Sequence, residues 1–196
     1  MYFYLFFTIF FALGSVYCQE EFDGTLTSSY VNYFFNNSET NVGLSGREIS
    51  SIDAGAFRNF DEIKRLDLSN NAIETLGDTI FLDQSKLEEL DLSNNRLLDI
   101  NRASLRGLNQ LRLLLLENNK IIQVEQKTFV GLPSLKTVCL FGNPVSIMFP
   151  GSLQQLSAFN AGLVVSYTQS CATTTTASTT TTPTTPATLK PYGKAF

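Results

Sequence analysis

Histidine and tryptophan are absent from the 196-residue sequence. Without histidine there is no imidazole base for a serine or cysteine nucleophile, and no zinc site that relies on imidazole ligands. Charge is scarce as well: charged residues make up 16% of the chain, and the net charge is -4. A mildly acidic chain lacks the electrostatic footprint for nucleic acid. No nucleophile-and-base pair is legible elsewhere, and no stretch has the ligand spacing of a calcium loop. The expectation is therefore not an enzyme, with no catalytic residue, no metal and no cofactor. Apolar residues make up 43%, enough for one buried core in a single medium-sized domain with extensions.

The two ends read differently from the middle. Tyr2 to Tyr17 is almost wholly apolar, and acidic residues begin at Glu20. That run is short for a hydrocarbon core of ~30 Å. It reads as a signal peptide, residues 1–18, cleaved before Gln19; an uncleaved anchor is the alternative. No second apolar stretch approaches membrane length, so the expectation is a secreted, extracellular chain with no membrane span after cleavage. The segment Lys190 to Phe196 lacks the hydrophobic character of a lipid-anchor signal. Residues 172–196 are dominated by Thr, Ser, Pro and Ala. They have nothing to bury and read as a disordered tail, either O-glycosylated or bare. Asn36-Asn37-Ser38 supplies one N-glycosylation sequon, at Asn36.

The middle repeats. Leu66-Asp67-Leu68-Ser69-Asn70-Asn71 recurs unchanged as Leu90-Asp91-Leu92-Ser93-Asn94-Asn95, 24 residues later. Stepping by that period gives the apolar columns Val42, Leu66, Leu90, Leu114, Val138 and Leu44, Leu68, Leu92, Leu116, Leu140. Further along each unit come Ile49, Ile73, Leu97, Ile121, Val145 and Phe57, Phe81, Leu105, Phe129, Leu153. An asparagine column runs Asn71, Asn95, Asn119, Asn143. Leu-x-Leu puts two side chains on one face of a short strand. Asparagine suits the tight turn that follows, where its amide can pair freed backbone groups. One coil cannot bury its apolar face alone. Stacked coils share a core, with the strands in a parallel sheet.

This pattern resembles the leucine-rich repeat family in its 24-residue extracellular form, over about residues 39–158. The resemblance implies an α/β solenoid: a curved stack of about five repeats with a parallel concave sheet. It also implies a role in binding other proteins. The sequence departs from the pattern at Glu39, at Arg47 where asparagine is expected, and at Gln84 in an apolar column. The cysteine-rich caps of extracellular members are missing, so non-standard caps are expected. Residues 19–38 read as the N-terminal cap, with Tyr30, Tyr33, Phe34 and Phe35 covering the end of the core. Residues 159–171 read as the C-terminal cap.

Positions beside the strand leucines face outward on the sheet. Arg65, Asp67, Glu89 and Asp91 make its middle polar and acidic. Leu113, Leu115 and Phe141, with Glu117 and Cys139 nearby, make its C-terminal part apolar. Two readings of the apolar group stand: a protein contact, or a surface that the chain after the last repeat folds over. Asp67 and Asp91 either attract a basic group or are ordinary solvated repeat residues. Five rungs alone make a small face, so binding can also recruit the caps or a second copy of the chain.

After cleavage behind Cys18 the chain keeps Cys139 and Cys171, which suggests one disulfide. Leu163 to Tyr167 reads as an extra edge strand, and Cys171 overshoots the rung of Cys139. An intramolecular bond therefore needs the chain to turn back over the concave face, covering Phe141. An intermolecular bridge and free thiols are the alternatives. The functional expectation is a secreted, non-catalytic recognition protein with an extracellular protein ligand. A receptor-like or immune role comes from the resemblance alone. A matrix or adhesion protein with a glycosylated tail is the second reading.

Overall fold

The computed structural model describes residues 22–125, 127–145, 156, 162–169 and 171. The signal-peptide and tail expectations, and Leu153 at the end of the phenylalanine column, lie outside them. The chain coils into a solenoid whose strands stack by the sequence period. The main sheet is parallel and six-stranded. In order it holds β2 (Asn41–Gly43), β4 (Arg65–Asp67), β5 (Glu89–Asp91), β6 (Leu113–Leu115), β7 (Thr137–Cys139) and β8 (Val164–Ser166). From β2 to β7 every register pair is a 24-residue step, as in Val42 opposite Leu66 and Leu115 opposite Cys139. The ladder continues past the strands, with Leu68 N–H donating to Asp91 O and Leu92 N–H to Leu115 O, at 2.8 and 2.9 Å.

The inward columns are buried as the period requires. Phe57, Phe81 and Phe129 are fully enclosed, and the Phe57 and Phe81 rings stack at 6.0 Å between centroids. A buried phenylalanine stabilises by about 1.5–3 kcal/mol from area alone. The return path needs no helix at these positions. Tight turns bring Phe60 N–H to Phe57 O, Gln84 N–H to Phe81 O, and Leu132 N–H to Phe129 O. Gln84, the polar departure, is buried in the Phe60, Leu108 and Leu132 column. Its Nε2 donates to Phe57 O at 2.9 Å, while its Oε1 has no partner among the described residues. A buried unpaired amide oxygen costs stability.

The asparagine column is a spine of side chains tying coil to coil. Asn95 Oδ1 accepts from Ile73 N–H of the preceding coil, and its Nδ2 donates to Leu68 O and to its own Leu92 O. Asn119 repeats this with Leu97, Leu92 and Leu116. Each amide thus pairs backbone groups that a turn would otherwise orphan. Arg47 breaks the column at the first coil, yet its backbone N–H still donates to Asn71 Oδ1 at 2.9 Å.

A second column has a different reason. Asn70, Asn94 and Asn118 adopt φ of 56°, 55° and 53°, and Gly46 and Gly142 fill the same place in the flanking coils. A left-handed turn residue favours Asn or Gly. Asn118 Nδ2 also donates to Asn94 Oδ1 at 3.0 Å.

The N-terminal cap differs from expectation. β1 (Thr25–Leu26) pairs with β3 (Ser51–Ile52) in a small parallel sheet, and α1 (Ser28–Phe34) follows. Thr27 caps α1 through its hydroxyl, which accepts from Tyr30 N–H. Leu26 and Val31 close the core, with Tyr30 and Phe35 partly buried against it. Tyr33 and Phe34 do not cover it: they are 74% and 47% exposed. Tyr33, two residues past Val31 on α1, points away from the inward face, and Phe34 lies at the helix's last position beside the core rather than over it. Phe34 instead packs at a tilt against Tyr30, 5.0 Å between ring centroids, and lies under the Arg47 guanidinium at 5.4 Å.

Candidate recognition face

The pleat turns alternate residues of β2 to β8 away from the core onto one concave surface. Its N-terminal end is open: none of the described residues lies within 4 Å of where a Cβ on Gly43 would sit. Arg65 and Glu89, facing one another in register, pair at 3.1 Å. Asp67 and Asp91 also face one another. Each spends one carboxylate oxygen locally, Asp67 accepting Ser69 N–H at 2.9 Å and Asp91 accepting Ser93 N–H at 2.8 Å. The repeated Asp-x-Ser is therefore a built turn clamp as well as a charge. Burial pushes the Asp91 carboxyl above its ordinary range, the Ser93 hydrogen bonds oppose this, and the Asp67 and Glu117 carboxylates add to the rise.

Leu113 and Leu115 continue the same surface half-buried, and they share with Asp67, Asp91 and Gly43 a groove of about 280 Å³. Beyond them the chain does turn back. β8 adds to the edge of β7 with Ser166 opposite Cys139, a 27-residue step rather than 24. Cys171 then reaches Cys139 in a disulfide. Cys139 is wholly buried, and Glu117 is buried with its carboxylate accepting Cys171 N–H. The cover stops short of Phe141, which the expected path would have hidden and which stays 38% exposed. β8 instead adds its own Val164 to the surface at 59% exposure.

Glu117, Cys139 and Cys171 are close enough to have been a metal-ligand set. With both sulfurs in a disulfide they lack the thiolates that bind metal. Asn36 is exposed in the turn between α1 and β2, its Nδ2 donating to Glu39 Oε1 at 3.2 Å. Sequence reading missed β1, β3 and Val31; the only signal was the apolar pair Leu26 and Val31 flanking Thr27-Ser28.

The leucine-rich repeat family model matches residues 62–121 and 85–145. Residues 62–145 are thus leucine-rich repeats, and the solenoid is the leucine-rich repeat fold. Among solved structures it is similar to the APL1 leucine-rich repeat domain, with 27% identity and a TM-score of 0.56, over 61% of this chain and 31% of that one. TLR13, solved in complex with ssRNA13, matches at 23% identity and a TM-score of 0.66, over 73% and 20%. Drosophila Toll, solved with Spatzle, matches at 24% identity and a TM-score of 0.51, over 60% and 17%. At such identities the last two show the fold alone. The chain spans about a third or less of the length of these proteins. No curated protein matches the sequence.

Proposed function

We propose that the chain is a secreted, non-catalytic recognition protein that presents its concave sheet to another protein. The domain plan behind this reading is a signal peptide over 1–18, caps over 19–38 and 159–171, repeats over 39–158, and a tail over 172–196. One observation carries it. Leu113, Leu115, Phe141 and Val164 keep apolar surface exposed or half-exposed on the concave face, although the chain folds back beside them. A soluble protein leaves a contiguous apolar patch on its surface where something binds. Six strands at about 4.8 Å spacing span ~24 Å. A stable interface of ~800 Å² per partner therefore engages the flanking turns too. An immune or receptor-like role is the family-level part of this proposal and rests on the repeat resemblance alone.

Affinity capture from extracellular fluid tests the reading, using wild type beside Leu115→Glu with a matching thermal midpoint. One saturable protein partner, lost with the variant, is the expected result. Capture of matrix polymers alone, or equal capture by both forms, overturns it. Secretion has its own test: expression in a secretory cell line should give a product shifted by glycosidase, and Asn36→Gln should abolish that shift.

A further inference from the structure

The concave face is divided by chemistry, and one groove crosses the division. On its N-terminal side, Asp67 and Asp91 face one another on neighbouring strands. Arg65 is taken up by Glu89, and among the described residues no other cation pairs with the two aspartates. The sheet thus holds two carboxylates at neighbouring-strand spacing, ~4.8 Å, without an internal counter-charge. On the C-terminal side, the same groove is walled by Leu113 and Leu115. Small neighbours keep the acidic end accessible: Gly43 precedes it and leaves open space.

Resting on the recognition role proposed above, we infer that the face takes a protein segment in which a basic side chain is followed by large apolar ones. The basic group lies between Asp67 and Asp91, and the apolar groups lie on Leu115 and Phe141. Arginine fits the acidic end best, because its planar fork can donate to two carboxylates at once. Desolvation by the partner strengthens such a pair, and the adjacent apolar contact supplies that desolvation. The same negative field repels a nucleic-acid backbone.

Selection from a random peptide display library on the immobilised, disulfide-intact protein tests this. Enriched peptides should carry Arg or Lys beside Leu, Ile or an aromatic residue. A synthetic enriched peptide should bind about tenfold more weakly to Asp67→Asn/Asp91→Asn, the scale of a close charge pair. It should also weaken with added salt, and weaken on Leu115→Ser. Each variant is admitted only with a wild-type circular dichroism spectrum and a thermal midpoint no lower than that of wild type. Enriched peptides without a basic residue, or unweakened by the double aspartate change, overturn the inference. If such peptides still lose binding on Leu115→Ser, the concave recognition role survives. If no concave substitution affects them, both fall. Enrichment of nothing above bare support, or tighter binding of an RNA oligomer than of any peptide, also overturns the inference.

Discussion

The buried carboxylate of Glu117 accepts the backbone N–H of Cys171, which lies 54 residues further along the chain. Glu117 stands where earlier coils carry Ser45, Ser69 and Ser93. The exchange of serine for a longer acceptor therefore coincides with the place where the chain crosses back. The hydrogen bond and the disulfide fix one residue, Cys171, to two rungs at once.

The first prediction concerns that closure. The bond spans a separation of 32 residues, and a loop of that size stabilises by about 4 kcal/mol in the chain-entropy account. Cys171→Ser should lower the urea midpoint accordingly. Non-reducing peptide mapping of wild type should give a peptide joining Cys139 to Cys171. Coincident midpoints, or two alkylatable thiols in the native protein, would count against it.

Asn95→Ala should cost ~1–3 kcal/mol, because it strands Ile73 N–H and the Leu68 and Leu92 carbonyls in the interior. Denaturant unfolding reads this directly. An unchanged midpoint would mean that the asparagine spine contributes nothing net.

Gly142 and Gly46 separate two costs of the left-handed turn. Both have positive φ, 76° and 66°. A Cβ at Gly142 would stand 2.2 Å from Asn118 Oδ1, whereas at Gly46 it meets nothing within 4 Å. Gly46→Ala should show the backbone cost alone, roughly 1–2 kcal/mol. Gly142→Ala should lose more, and should disturb Asn118. Equal losses in thermal melts would refute the steric part.

Asp91 gives a pH prediction with a definite sign. Its folded carboxyl holds a proton more tightly than the unfolded one, chiefly through burial, with Asp67 and Glu117 adding to the effect. Stability from this proton is complete below the ordinary aspartate range and is lost as pH rises through the raised folded value. Asp91→Asn should therefore be more stable than wild type at about pH 7, with the gap closing toward about pH 3. Urea midpoints across that range measure it. A gap that widens toward acid would reverse the assignment.

The period made most of this fold legible. One spacing predicts the register of β2 through β7, because a parallel stack with no insertions repeats every contact at the same interval. Legibility ends where the period does. β8 joins at 27 residues, and no column predicts that offset. The first asparagine of each Asn-Asn pair was present in the sequence, but its backbone role shows only in φ. The cap helix reads ambiguously because aromatic residues surround Val31 on both sides. Composition cannot say which of them turns inward, and the solenoid end admits a single small stripe. The candidate face was legible as outward columns, whereas the partial reach of the cover over Glu117 and Cys139 was not.

The coils touch only their neighbours, so the grip on each end of the stack sets how the whole can open. At one end lie a seven-residue helix, too short to hold itself together, and a pairing two residues long. At the other, β8 adds a sixth strand, and a covalent bond ties Cys171, five residues beyond it, back to Cys139 of β7. Fraying therefore has a direction. The acidic rungs lie toward the yielding end and the apolar rungs toward the clamped one, giving a docking partner a stiff footing beside a compliant margin.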